Sequence, residues 1–191
     1  KAIGALEQET ASKLVKGAFD KGVTFIDTAN VYSNGLSEQV TGQAIKGLPR
    51  DELVIATKVF GRMGGYNPSH TPEELRRYNN TNLWGLSRKH IMDSIDASLA
   101  RLQIDHIDLY QVHAFDNVTP LEETLGALDE LVKSGKVRYI GLCNFAAWQI
   151  AKSLGVSAQN AFARFESLQM YYTIAGRDLE REVVPLAKDQ N

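Results

Sequence analysis

Asp27, Tyr32, Lys58 and His113 are the residues of this sequence whose types could do acid and base chemistry together, and Asn144 and Gln169 add two amides at comparable places in the chain. A lysine ammonium beside a tyrosine favours the phenolate, which makes the phenol a stronger acid and a better proton donor near neutral pH. A nearby aspartate would balance and orient that lysine. Each residue also has a plainer reading: Asp27 as a turn residue, Lys58 as a lysine emerging into solvent, His113 as a satisfied core histidine, Asn144 as a helix cap and Tyr32 as a loop aromatic. Their shared placement argues against reading them one at a time.

Each of the five strand-linked residues falls late in a short apolar run. Asp27 ends "VTFID", Lys58 ends "LVIATK", His113 ends "HIDLYQVH", Asn144 ends "VRYIGLCN", and Gln169 lies late in "ARFESLQMY". Tyr32 follows Asp27 in a loop-forming stretch with Asn30, Ser33, Asn34 and Gly35. Between these runs lie segments of helical period. Ala11, Leu14, Val15, Ala18 and Phe19 make one stripe, stopped by Gly22, and Ile91, Ile95, Leu99 and Leu102 make another after a Ser87 cap. Further helices are expected from Ser37 to Ile45, from a Thr119/Pro120/Glu122 capping box to Lys133, from Ala146 to Leu154, and from Leu179 almost to the end.

Five strands alternating with six helices imply parallel strands with crossover helices. "GRMGG" (61–65) opens a long loop instead of a helix, so no dinucleotide-binding glycine turn is present. The repeating unit fits a (β/α)8 barrel, a TIM barrel, in which the C-terminal ends of the strands build the active site. Such barrels take about 250 residues, so a chain of 191 is expected to be one partial barrel domain over 1–191, truncated at both ends.

Composition sets the remaining bounds. A net charge of -2 and a pI near 6.1 give no basic footprint for nucleic acid or an anionic membrane. Cys143 is the single cysteine and cannot form an internal disulfide, which suits a reducing, cytoplasmic setting. No run approaches the roughly 20 apolar residues of a membrane helix, and no signal peptide is seen. His70, His90 and His106 lack metal-ligand spacing and read as surface histidines, so no metal site is expected.

"FIDTANVY", "IATKV", "DLYQVH" and "YIGLCNF" resemble the signature segments of the aldo-keto reductase superfamily, whose members are (β/α)8 barrels that reduce carbonyls with NAD(P)H. "NGLSEQVTGQAIK", "GLSRKHI" and "EETLGALDELVKSGKVRYIG" are most similar to the branch holding aryl-alcohol-dehydrogenase-like members and potassium-channel β subunits. The resemblance implies Tyr32 as proton donor to a substrate carbonyl, Lys58 and Asp27 as the pair that strengthens its acidity, and His113 as the residue orienting that carbonyl. It implies Asn144 and Gln169 as hydrogen-bond partners of the nicotinamide carboxamide, with Asp27 touching the ribose. Cys143 occupies a cofactor-facing position where the family most often has Ser, which weakens or removes one hydrogen bond. "AFD" follows His113 in place of the more usual Arg-Pro or Trp-Pro.

The family's first and seventh strands and its phosphate-binding loop lie outside residues 1–191, so NADPH is expected as the family default, with NADH as the alternative. The expected activity is reduction of an aldehyde or ketone; oligomeric state is left open. Two other functions fit parts of the pattern: a cofactor-binding regulatory subunit of the channel β type, and an aldolase using Lys58 as a Schiff-base amine. Between about 60 and 86 runs a long loop, expected to contain a short helix opened by a Thr71/Glu74 capping box. It leaves the strand that carries Lys58, so Tyr66, Tyr78 and Trp84 are candidates for a substrate pocket, or else for packing the loop onto the barrel.

Overall fold

The computed structural model describes residues 6–64 and 68–190. Five parallel strands, β1 (Phe25–Asp27), β2 (Val54–Val59), β3 (Ile107–Val112), β4 (Val137–Cys143) and β5 (Phe165–Gln169), lie in sequential order in one sheet. Seven α-helices connect and flank them: α1 (Gln8–Phe19), α2 (Leu36–Ala44), α3 (Pro72–Tyr78), α4 (Arg88–Leu102), α5 (Leu121–Lys133), α6 (Ala147–Asn160) and α7 (Val183–Gln190). The seventh is α3, the short helix inside the 60–86 loop, capped as its Thr71/Glu74 pair predicts. The architecture is a half-barrel, part of a (β/α)8 barrel.

One side of the sheet carries the helices. Ile55 and Val59 of β2, Tyr110 and Val112 of β3 and Ile140 and Leu142 of β4 join Ile91, Ile95, Leu125, Leu128 and Ile150 of the helices in a single core. A charged clamp crosses that layer. Glu38 on α2 is fully buried, accepts a hydrogen bond from Thr57 Oγ1 at 2.6 Å and another from Arg101 Nε on α4 at 2.6 Å. Because Thr57 faces the helices, the alternation of the strand sends Lys58 to the opposite, concave side. Register then puts Lys58 level with Gln111, Gly141 and Ser167 on the next three strands.

Three expectations need correction. The Thr119/Glu122 capping box does not form: helix α5 starts one residue later, with Pro120 at its N-cap, because Asp116 takes the Thr119 hydroxyl at 2.8 Å. Helix α6 continues past Leu154 to Asn160, since Gly155 lies on an open face and Val156 and Ser157 extend the buried stripe. His90 is not on the surface; it is 6% exposed on the inner side of α4, in contact with Ser94.

Candidate active site

The structure brings Asp27, Tyr32, Lys58 and His113 together at the C-terminal end of the sheet. β1 ends on Asp27. The following turn folds back sharply: Ser33, Asn34 and Gly35 all have left-handed backbone, with φ of 48°, 57° and 87°. Glycine is required at the third position, where a Cβ would stand 2.9 Å from Arg101 Cδ. This turn sets Tyr32 edge-on to the His113 ring, with centroids 5.7 Å apart.

Lys58 is fully buried, so its ammonium needs compensation. Its Nζ donates to Asp27 Oδ2 at 2.6 Å and to the Thr28 carbonyl at 2.8 Å, and stands 5.2 Å from the centre of the Tyr32 ring. Tyr32 is 42% exposed and open to a ligand. His113 titrates below the ordinary histidine range, first because it is buried and then because the Lys58 charge opposes a second positive charge; Asp27 partly offsets both. The imidazole is therefore neutral around pH 7.

Amides surround the carboxylate. Gln169 Nε2 donates to Asp27 Oδ2 at 3.1 Å, and Gln111 Nε2 donates to Asp27 Oδ1 at 3.1 Å. Asn144 adopts left-handed backbone (φ 59°) just after β4 and is exposed; its Nδ2 makes a long 3.4 Å bond to the His113 carbonyl. It does not cap α6, whose N-cap is Ala146. Cys143 is buried and its thiol is pushed up to about 11 by burial, so it acts as a donor toward Gln111 and Gln169.

Gln111 is the residue sequence reasoning missed. It stands two positions before His113, and the period of two in a strand puts both on the concave face. That spacing was the available signal.

The loop candidates divide. Tyr66 lies outside the described residues. Trp84 packs edge-on against Phe60 at 6.1 Å, and the Arg62 guanidinium stacks 4.7 Å from Trp84 and 4.9 Å from Tyr78. These contacts belong to the loop's own packing. The loop is closed at its neck by Gly85 N–H donating to the Phe60 carbonyl at 2.8 Å, and Asp116 accepts the Leu86 N–H at 2.8 Å. A cavity of about 360 Å³ opens between the loop and α4, lined by Asn30, Arg62, Tyr78, His90 and Arg101 among others, and none of the four clustered residues lines it.

A parallel half-barrel with a buried Lys–Asp pair, a phenol and a neutral imidazole at its C-terminal face defines the class: a β/α-barrel protein with an acid–base cluster where such barrels build active sites. The chain belongs to the aldo/keto reductase family, whose model matches residues 1–191. It is 38% identical to versiconal hemiacetal acetate reductase of Aspergillus parasiticus, covering 96% of this chain and 55% of that protein. An uncharacterized oxidoreductase, YrpG, of Bacillus subtilis is 37% identical over the same 96% and 55%. A putative aryl-alcohol dehydrogenase, AAD16, of Saccharomyces cerevisiae is 36% identical, covering 94% of this chain and 54% of its own. The chain thus spans about half the length of the curated relatives it matches. Among the described residues, no helix is long and apolar enough to cross a membrane, and no three His, Cys, Asp or Glu side chains converge as metal ligands.

Proposed function

We propose that this protein is an oxidoreductase that reduces an aldehyde or ketone to an alcohol, with Tyr32 donating the proton to the carbonyl oxygen. The observation that carries the reading is the convergence of Lys58, Asp27, Tyr32 and His113 from two strands and two strand-following positions on one rim.

The exposed amides of Asn144 and Gln169 suit a nicotinamide carboxamide, which offers both a donor and an acceptor, and Asp27 and Cys143 lie beside them. A reduced nicotinamide, when bound, supplies the hydride. Asn144 and Gln169 would hold its carboxamide and so orient it toward the substrate. Tyr32 and His113 receive the carbonyl oxygen between them; the neutral imidazole donates a hydrogen bond to it while Tyr32 gives up its proton. Lys58 then stabilises the phenolate that remains, and Asp27 keeps that ammonium in place. NADPH is the preferred cofactor in this reading, NADH the alternative, and a small carbonyl compound the substrate, with the cytoplasm as the setting.

The burial of Lys58 and its two hydrogen bonds disfavour the aldolase alternative, because a Schiff-base amine must be neutral and reachable. A panel of aromatic and aliphatic aldehydes, assayed for consumption of NADPH and of NADH by the complete protein, tests the proposal. Turnover with at least one aldehyde is expected. Tight cofactor binding without turnover on any of them would favour a regulatory, channel β-like role instead.

A further inference from the structure

Gln111 is 1% exposed and has no part in the reaction as proposed, yet both ends of its amide are engaged. Its Nε2 donates to Asp27 Oδ1, while its Oε1 faces the Cys143 thiol at 3.8 Å and shares that single S–H with the Gln169 oxygen. Gln169 mirrors it on the other carboxylate oxygen, with Nε2 on Asp27 Oδ2 and Oε1 accepting from Cys143 at 3.5 Å. A protonated thiol facing both amide oxygens leaves both NH2 groups turned to the carboxylate. The space for this arrangement is built in. Gly141, level with Gln111 on β4, could not carry a side chain: its Cβ would stand 2.2 Å from Ser167 Oγ and 3.2 Å from Gln111 Cγ.

We propose that Gln111, oriented by Cys143, is a positioning residue for the Asp27–Lys58 pair: it occupies Oδ1, directs the ammonium to Oδ2, which Gln169 shares, and so holds the Lys58 charge beside Tyr32. The inference rests on the reading of Tyr32 as proton donor. The charged and titratable groups around the amide are Asp27 from β1, Lys58 from β2, Cys143 from β4, and His113 and Tyr32 at the rim; β5 contributes only Ser167 and Gln169. Without the Gln111 donor, the carboxylate carries more unshared charge and is free to draw the ammonium away from the phenol. The phenol should then part with its proton less readily.

The test is the pH profile of kcat/KM for reduction of para-nitrobenzaldehyde with NADPH by the complete protein. In Gln111→Met, kcat should fall roughly 10-fold while KM for NADPH stays within about twofold, and the alkaline limb should move up by about half a unit to one unit. Gln111→Glu keeps the shape and cannot donate while ionised, so its loss should be relieved as pH falls and the new carboxyl gains a proton. This second variant also serves if Gln111→Met does not fold. An alkaline limb unmoved in Gln111→Met, or a loss in Gln111→Glu that is the same at every pH, would overturn the inference. Tyr32→Phe in the same assay separates the two levels: if it retains full activity, it is the Tyr32 reading that has failed, whereas an inactive Tyr32→Phe beside an unmoved Gln111→Met limb rejects Gln111 alone.

Discussion

Lys58 and Asp27 form a pair of unequal exposure, and that inequality has a consequence for stability. The lysine is fully enclosed, whereas the aspartate side chain remains 29% exposed and keeps donors from Gln111 and Gln169. Removing Asp27 strands a buried ammonium; removing Lys58 leaves a carboxylate that water and two amides still satisfy. Asp27→Ala should therefore cost roughly 3 kcal/mol, near the lower end for breaking a buried pair because water reaches the rim, and Lys58→Met distinctly less. Urea unfolding of the two variants checks the order, and equal losses would contradict it. Asp27, Lys58 and His113 were legible in the sequence because an ionisable side chain at the end of an apolar run is uncommon and three recur, and Tyr32 because it follows Asp27 so closely in a loop-forming stretch. Gln111 was not, because an amide inside a strand reads as ordinary alternation until the carboxylate it faces is known. The depth of Lys58 was equally hidden: its full burial, against Asp27 and the Thr28 carbonyl, depends on chain segments brought together only by the fold.

At the level of elements, helix α4 carries a buried histidine whose titration should be felt by the whole fold. His90 lies below the ordinary histidine range because burial disfavours its charged form; Asp93 partly opposes this and Lys89 adds to it. The unfolded chain thus binds more protons than the native one at mildly acidic pH, so stability rises with pH, is complete above the ordinary value of about 6.5, and is lost as pH falls below it. His113 contributes with the same sign. His90→Gln should flatten, without abolishing, the fall in thermal midpoint between about pH 7 and pH 5, and an unchanged slope would refute the assignment. The 60–86 loop is a second element with its own expectation. It is tied down by its neck and by Asp116, and its aromatics pack on Arg62, so trimming residues 64–82 should alter relative rates across a carbonyl panel more than cofactor affinity. Unchanged relative rates would count against a substrate-facing role. Local chemistry made several boundaries readable, as at Thr71 and Ser87, where side chain and cap agree. It misled at Thr119, whose hydroxyl is claimed by Asp116, and at Gly155, where an exposed glycine was tolerated inside a helix whose buried face carries it onward.

At the scale of the molecule, alternation of strand and helix was enough to read a parallel sheet in sequential order, because each helix must bring the chain back to the same end. Register was not readable, and it is register that sets Lys58 level with Gln111 and leaves the glycine at 141 beside them. The half-barrel matches its family along 1–191, while its curated relatives run to about twice that length. The proposed carbonyl reduction hinges on whether the rim residues gathered here act as the proton-transfer centre. The most direct test compares wild type and Tyr32→Phe in the complete protein, measuring kcat for an aromatic aldehyde alongside NADPH affinity by fluorescence quenching. A loss of several orders of magnitude in kcat with cofactor affinity nearly unchanged is expected; activity within about tenfold of wild type would contradict the account.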